Sequence, residues 1–331
     1  VDVCTLGMFI IATSKLPEKP GNGRVLTDIM GGAGSYTALG ARIFAGSRRS
    51  RLVGWIVDCG SDFPDSMRRE IEQWDTSCLF RPTPERLTTR GWNGYGAGEQ
   101  RAFRYTTPKL RLDETNLTTE LLMSKSFHLI CQSTRCMSLV NGIMQRRDRL
   151  REERSFKDES VRPMFIWEPV PDLCIPSEWD NCRKALNMID CISPNHVELA
   201  GFFGKEAEVD RNGYVQREVV ETLASQMINV GIGPLREGSI VVRAGKDGCC
   251  IVRRLENGQI QNTWLPAYHS SDTGAVIDPT GGGNTFLGGL AMALINGHTP
   301  EMAAAYGSVV AGVAIEQIGM PKLEADRWNG I

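Results

Sequence analysis

Residues 278–284 read DPTGGGN, within the longer stretch AVIDPTGGGNTFLGGLAMALINGH at 275–298. A short strand-like run at 275–277 meets a turn of Pro279 and three consecutive glycines, and an apolar, alanine-rich helix follows at once. A helix opened by such a turn leaves several backbone N–H groups unpaired and pointing outward, and the helix dipole adds partial positive charge there. Glycine also lets a ligand oxygen approach the backbone, because no Cβ stands in the way. The stretch reads as an anion-binding site suited to phosphate, or as a purely structural helix entry. It is not a Walker A loop, which needs Lys-Ser or Lys-Thr after the last glycine. Nor is it a dinucleotide fingerprint, which should follow the first strand.

Working outward, the chain has the alternation of strands and helices that marks a mainly parallel sheet covered by helices. The runs VDVCTLGMFII, SRLVGWIVDCG, FHLICQS and RPMFIWEPVP each suit a buried strand. Helical spacing follows in DSMRREIEQW, LVNGIMQRRDRLREERSF and EMAAAYGSVVAGVAIEQIG. The basic run at 146–154 is interleaved with Asp148, Glu152 and Glu153, so it reads as a solvated helix face rather than a nucleic-acid patch. The stretch RLTTRGWNGYGAGEQRAFRYTT breaks the rhythm with two Thr/aromatic segments around a glycine-rich turn. It reads either as an ordinary surface hairpin or, beside residues 13–30, as part of a small β lid spanning about 86–106. The expected architecture is one α/β domain over 1–331 with these lid segments inserted.

Composition narrows the partners. With 331 residues, of which 41% are hydrophobic, the chain can bury a large core. Its 37 basic and 39 acidic residues nearly balance, which gives no pull toward nucleic acid or an acidic membrane, and a small ligand fits better. No apolar run approaches the roughly 20 residues of a membrane helix, and no signal-peptide pattern precedes the first strand, so a cytoplasmic protein is expected. Ten scattered cysteines without a C-x-x-C pair read as reduced, buried apolar residues.

DPTGGGN resembles the D-T-x-G-A-G-D signature of the ribokinase-like (PfkB) carbohydrate kinases, and other landmarks of that family follow in order. Gly31-Gly32 before a helix is similar to its first signature, SPNHVE to its N-x-x-E motif, and VVRAGKDG to its V-T-x-G-x-x-G segment. The form of the motif looks closest to a fungal branch. The resemblance implies a three-layer ribokinase-like α/β sandwich that binds ATP and Mg²⁺ along its C-terminal segments and the acceptor under the lid. It places Gly281, Gly282 and Gly283 at the transferring phosphoryl group. Asn195 and Glu198 would organise the magnesium, Glu198 indirectly. Arg243, Gly245 and Gly248 would lie by the nucleotide, with Arg243 equally readable as a surface strand residue. Asp278 and Thr280 would shape the loop, in some relatives beside a monovalent cation, and the helix at 303–312 would wall the adenine. A homodimer through the lid is a further expectation.

The sequence departs from the family where chemistry is most exposed. Asn284 stands where the family has the aspartate that takes the acceptor's proton, and an amide cannot do that. Such a base is worth about 10²- to 10⁴-fold. On the acceptor side Ala12 and Tyr36 replace an acidic residue and an asparagine that hold sugar hydroxyls, while Trp92 and Tyr95 add aromatic surface or serve as packing. These departures suit an acidic, aromatic or heterocyclic acceptor rather than a sugar, with Asn284 donating a hydrogen bond to it. Two other readings stay open: a repurposed, non-phosphorylating enzyme of secondary metabolism (cyclisation, dehydration or isomerisation), and an inactive pseudokinase.

Overall fold

The strands that build the main sheet are short, continuous apolar runs, as expected where both faces are covered. The protein is described here by a computed structural model that covers residues 1–15, 25–95, 101–154, 161–207, 209–269 and 274–330. In chain order the first half contains β1 (Val3–Thr5), β2 (Ile10–Lys15), β3 (Val25–Gly31), α1 (Ala33–Ala45), β4 (Val53–Gly60), α2 (Asp65–Gln73), β5 (Ser77–Thr83), β6 (Arg90–Tyr95), β7 (Arg101–Tyr105), α3 (Thr119–Leu122), β8 (Ser126–Ile130) and α4 (Ser133–Arg154). The second half adds β9 (Met164–Glu168), α5 (Trp179–Leu186), β10 (Cys191–Ile192), α6 (His196–Phe202), α7 (Arg217–Val230), β11 (Ser239–Arg243), β12 (Cys249–Arg254), β13 (Ile260–Leu265), α8 (Gly282–Ile295), α9 (Pro300–Ile315) and the small hairpin β14 (Leu323–Glu324) and β15 (Arg327–Trp328).

Nine strands form the main sheet in the order β13-β12-β11-β10-β9-β8-β1-β4-β5. From β11 to β5 every pairing is parallel, while β12 and β13 run antiparallel at one edge. One core packs Phe127, Phe165 and Trp167 with Leu186, Leu199 and Leu223 of α5, α6 and α7. The other packs Val3, Ile166 and Val241 with Leu39, Leu287 and Ala304 of α1, α8 and α9. Successive residues of a strand face opposite sides, so Phe165 and Trp167 enter the first core and Ile166 the second. Helices thus cover both faces, and the carboxyl ends of the parallel strands converge on one rim.

The lid is a separate four-stranded sheet, β3-β2-β6-β7. Two antiparallel hairpins join through a parallel β2–β6 pairing, so the segment near 86–106 is part of a lid rather than an isolated surface hairpin. Several local expectations need correction. VDVCTLGMFII is not one strand: β1 belongs to the main sheet and β2 to the lid, and Gly7 between them approaches α1 so closely that a Cβ there would lie 2.5 Å from Gly34 N. Residues 275–277 are not a strand either; Ile277 N–H bonds to Ile315 O at the end of α9 instead. The helix at 146–154 is not solvated all along, because Arg147 is buried and donates through Nη1 to Leu122 O and Ser124 O at 2.7 and 2.9 Å. Charge spacing reveals helical periodicity but not which arginine will satisfy the end of a neighbouring helix.

Among the described residues no helix is long and apolar enough to cross a membrane. All ten cysteines are free thiols, and nine of them are buried.

Candidate active site

At the mouth of α8 the three glycines are required for three different reasons. Gly281 is the N-cap in the left-handed region at φ 82°, and a Cβ there would lie 2.3 Å from three atoms of the Tyr36 ring. At Gly282 a Cβ would meet Ile315 Cγ2 at 2.8 Å, and at Gly283 it would meet Arg243 Nη1 at 2.3 Å. Gly282 N–H turns back to Pro279 O at 3.2 Å. Of the three glycines, therefore, only Gly281 and Gly283 retain a backbone N–H that no described residue accepts; Asn284 N–H is likewise uncommitted. Asp278 braces the turn by accepting from Thr280 N–H at 3.0 Å.

The rim beneath this mouth carries a buried polar chain. Thr5 pairs in register with His128, and β8 places His128 beside β9 with Ile130 opposite Glu168, so Thr5, His128 and Glu168 share the face covered by α8. Thr5 Oγ1 lies 2.9 Å from His128 Nδ1, and His128 Nε2 lies 3.3 Å from Glu168 Oε2. Asn284 Nδ2 donates to that same Glu168 oxygen at 2.6 Å. Arg243 Nη1 pairs with Glu168 Oε1 at 3.0 Å, and its Nη2 reaches Glu198 Oε2 at 3.4 Å and Ser193 O at 3.0 Å. Arg243 Nε is buried without a hydrogen-bond partner. Asn195 and Glu198 form the capping box of α6: Glu198 N–H donates to Asn195 Oδ1, while Asn195 N–H and Nδ2 donate to the two Glu198 oxygens, each at 2.8 Å.

Both carboxylates are 5% exposed, yet their ionisation is pushed in opposite directions. Burial raises the pKa of Glu168, but Arg243, His128 and Asn284 together outweigh it and hold Glu168 below the usual carboxylate range. Glu198 is pushed up to about 7, chiefly by burial, with Arg243 opposing and the Glu168 charge reinforcing the rise. Between its unfolded pKa near 4.5 and about 7, the folded chain holds a proton on Glu198 that the unfolded chain has released. Stability from this group is therefore lost as pH rises through that window, on the order of 3 kcal/mol. Glu198→Gln is expected to flatten this part of the profile, which urea unfolding at pH 5, 6, 7 and 8 would measure. Parallel profiles for the variant and the wild-type chain would refute it.

The structure brings together Gly281, Gly283, Asn284, Tyr36, Arg243, Asn195 and Glu198, and it separates others. Arg243 is not a surface strand residue, since its side chain is 13% exposed and ion-paired on two sides. Gly245 sits in an exposed turn after β11, with open space where a Cβ would be, and Gly248 closes that turn against Leu265 O. Gly31 ends β3 and Gly32 caps α1, where a Cβ would strike Met8 O at 2.3 Å. Ala12 is buried in the lid opposite Gly91, and the adjacent register pairs Thr13 with Trp92, so Ala12 and Trp92 point to opposite faces of the lid and cannot line one wall. Trp92 stacks under Arg104, 5.2 Å from the ring centroid. The Tyr95 backbone pairs with Arg101, and its side chain lies outside the described residues. Along 303–312, Ala303 and Ala304 are fully enclosed and Gly312 lies under Tyr268, so only the outer edge of α9 can meet a ligand. Of the two N–H donors that Asn284 could turn to an acceptor, one is already given to Glu168.

Sequence reasoning missed Glu168, His128 and Thr5. One signal was present: Glu168 ends the apolar run MFIWE, and an acidic residue at the carboxyl end of a buried parallel strand sits where such sheets bind ligands. A cavity of about 330 Å³, lined by Arg42, Ser47, Ser50, Asp75 and Asp326, lies by the β14–β15 hairpin and shares no residue with this cluster.

A family profile described as pfkB family carbohydrate kinase matches residues 169–324. Protein MAK32 of Saccharomyces cerevisiae is 34% identical over 343 residues, 99% of this chain and 89% of the yeast protein. The chain belongs to the pfkB carbohydrate kinase family. An uncharacterized Schizosaccharomyces pombe protein is 31% identical over 345 residues, 100% of this chain and 90% of its own length, so both of these long matches within the family are fungal. Inositol 3-kinase of Arabidopsis thaliana is 36% identical over 83 residues, 23% of this chain and 22% of that protein. In fold, ribokinase of Cryptococcus neoformans in complex with ADP matches at TM-score 0.68 and 15% identity, covering 96% of this chain and 95% of that one. Giardia lamblia ribokinase matches at 0.66 and 15%, covering 96% and 94%. The large sheet with its small lid is thus a ribokinase-like α/β fold.

Proposed function

We propose that this pfkB family chain is an ATP-dependent phosphotransferase acting on an acidic hydroxyl, phenolic or enolic, of a small aromatic or heterocyclic acceptor. The observation that carries the reading is the anion cradle at the α8 mouth. There the backbone N–H groups of Gly281, Gly283 and Asn284 have no acceptor among the described residues, and the Arg243 guanidinium lies against Gly283. Such preorganised donors stabilise charge developing on a transferring phosphoryl group. Arg243, with a buried Nε that has no hydrogen-bond partner among the described residues, is a cation beside that position. The residues also suit the cofactor the family implies. Magnesium keeps several waters and is held by one or two carboxylates plus phosphates rather than by a protein cage, and Glu198 supplies a buried carboxylate beside Arg243 that could hold it indirectly, through its waters. Bound with the nucleotide, it would neutralise phosphate charge.

In the transfer the acceptor oxygen bonds to the γ-phosphorus, the bond from that phosphorus to the bridging oxygen breaks, and ADP leaves. The hydroxyl proton departs late, onto a phosphoryl oxygen or water, because the nucleophile becomes strongly acidic only once the new bond has largely formed. An acidic hydroxyl makes that step easy without a strong base, which suits Asn284. Removal of the family's sugar-facing polar groups at Ala12 and Tyr36 points the same way.

The test has two stages. Magnesium-ATP is expected to raise the melting temperature by several degrees, since a ligand at 100 times its Kd adds about 2.7 kcal/mol. ADP release is then expected with phenolic or enolic acceptors and not with ribose, fructose or adenosine. Turnover of plain sugars at ordinary kinase rates would sink the proposal. One observation favours a second reading, a nucleotide binder without turnover: Tyr36 and Arg243 pack directly on Gly281 and Gly283 and narrow the mouth. That reading expects the thermal shift but no ADP from any acceptor.

A further inference from the structure

The hydrogen bonds beneath Asn284 have a direction, and it is set by Glu168, whose carboxylate, paired with Arg243, can only accept. The backbone N–H of Gly7 can only donate, and it does so to Thr5 Oγ1 at 3.1 Å. That contact leaves the Thr5 proton free to be donated to His128 Nδ1, 2.9 Å away. With Nδ1 accepting, a neutral imidazole carries its proton on Nε2, which faces Glu168 Oε2 at 3.3 Å. The other tautomer would set two lone pairs against each other. An ionised Glu168 accepts on both oxygens, from Arg243 on one and from His128 and Asn284 on the other. The side of the Asn284 amide that lies 2.6 Å from Glu168 is therefore the NH₂ group, and Oδ1 is turned away.

We propose that Glu168 is a positioning residue holding the charge that the family keeps at position 284, and that it locks the Asn284 carboxamide so that Oδ1 is the atom offered to the acceptor. The acceptor must then present a hydrogen-bond donor there, a protonated hydroxyl rather than an ionised oxygen. This last clause rests on the phosphotransferase reading; the lock does not. In effect, carboxylate and amide have changed places across one hydrogen bond. An aspartate restored at 284 would face Glu168 and not an empty pocket.

The exchange gives a reciprocal test with Asn284→Asp, Glu168→Gln and the double variant, read first by melting temperature across pH. In Asn284→Asp two carboxylates meet across a 2.6 Å contact and share a proton that the unfolded chain releases above about pH 4. A folded-state pKa raised in this way removes stability as pH rises, so the variant is expected to lose melting temperature relative to the wild-type chain between about pH 5 and pH 8. Among the described residues Arg243, His128 and Glu198 are the other charged or titratable groups beside the pair; because the Glu168 charge helps to raise Glu198, which titrates in the same window, the series is compared on a Glu198→Gln background, where that contribution is absent from every variant. In the double variant the amide introduced at position 168 donates to the carboxylate introduced at position 284, and the extra pH dependence is expected to vanish. An Asn284→Asp profile parallel to wild type, or a double variant as pH-sensitive as Asn284→Asp, overturns the lock. If Asn284→Asp does not fold at neutral pH, folding of the double variant supports the lock and its failure overturns it.

Turnover is the second readout. Glu168→Gln is expected to lower kcat about ten- to a hundredfold with little change in KM for magnesium-ATP, because the amide loses its fixed sense. The double variant should exceed both single variants, the non-additivity of a coupled pair. A double variant at or below the product of the single losses overturns the positioning role. A wild-type chain that neither gains stability from magnesium-ATP nor releases ADP defeats the phosphotransferase reading instead, and the melting series still decides the lock.

Discussion

Arg243→Met is expected to cost the folded chain about 3–5 kcal/mol near pH 8, the loss typical when one partner of a buried ion pair is removed and the other charge is left unpaired. Arg243 pairs with two carboxylates at once, at 3.0 and 3.4 Å, and the side chains of both are 6% exposed. Without it, Glu168 and Glu198 face each other with no intervening cation, and the Glu198 pKa, already pushed up to about 7, rises further. The sign follows from the direction of that shift. A carboxyl whose folded-state pKa is raised is stable while protonated and loses stability as pH increases. The variant should therefore recover much of its stability at pH 5, where Glu198 is neutral at little cost. Urea unfolding at pH 5 and pH 8 measures the difference, and a loss equal at both pH values would show that the carboxylates do not sense Arg243. Magnesium-ATP should also stabilise this variant less, because the cation beside Gly283 is gone.

The second large effect lies in the packing that holds the mouth in place. Gly288→Ala is expected to destabilise by about 3 kcal/mol, the upper end of the usual cost of overpacking. A Cβ on Gly288 would lie 2.0 Å from Thr37 O and 2.6 Å from Ala41 N, and the reciprocal contact puts a Cβ on Gly40 1.9 Å from Thr285 O. These obstacles are backbone, so no side chain can rotate away, and α1 and α8 must move apart. Tyr36 rides on α1 and Gly281 to Asn284 open α8, so the same movement separates the ring from the glycine it packs on. Loss of stability together with a weaker magnesium-ATP shift is the expected pair of results in thermal denaturation. A fully stable Gly288→Ala chain would mean that the helices are not in backbone contact.

Much of this protein was legible along the chain because its signals are local. The strands β4, β8 and β9 are apolar runs bounded by turn residues, and α2, α4 and α9 announce themselves by helical spacing. The glycine motif, SPNHVE and VVRAGKDG led to the family through their order. What failed was what depends on partners. The first apolar run divides between two sheets because Gly7 must clear Gly34, a contact 27 residues away in sequence. Ala12 and Trp92 looked like neighbours in one pocket until the β2–β6 register set them on opposite faces. Arg147 looked solvated because nothing local shows the carbonyls of Leu122 and Ser124 that it satisfies.

The same division runs through the site. Taken alone, the chain determined that three glycines and an amide follow a turn and open a helix, and that no carboxylate stands at position 284. Those are properties of residue type and spacing. Only the tertiary structure decided what the amide bonds to. Parallel strands bring Thr5, His128 and Glu168 onto one face of the sheet across 163 residues of chain, and α8 lays Asn284 on top of them. The amide's partner is a buried carboxylate 116 residues away, a contact that residue type and spacing along the chain cannot show because it is made by packing α8 on the sheet.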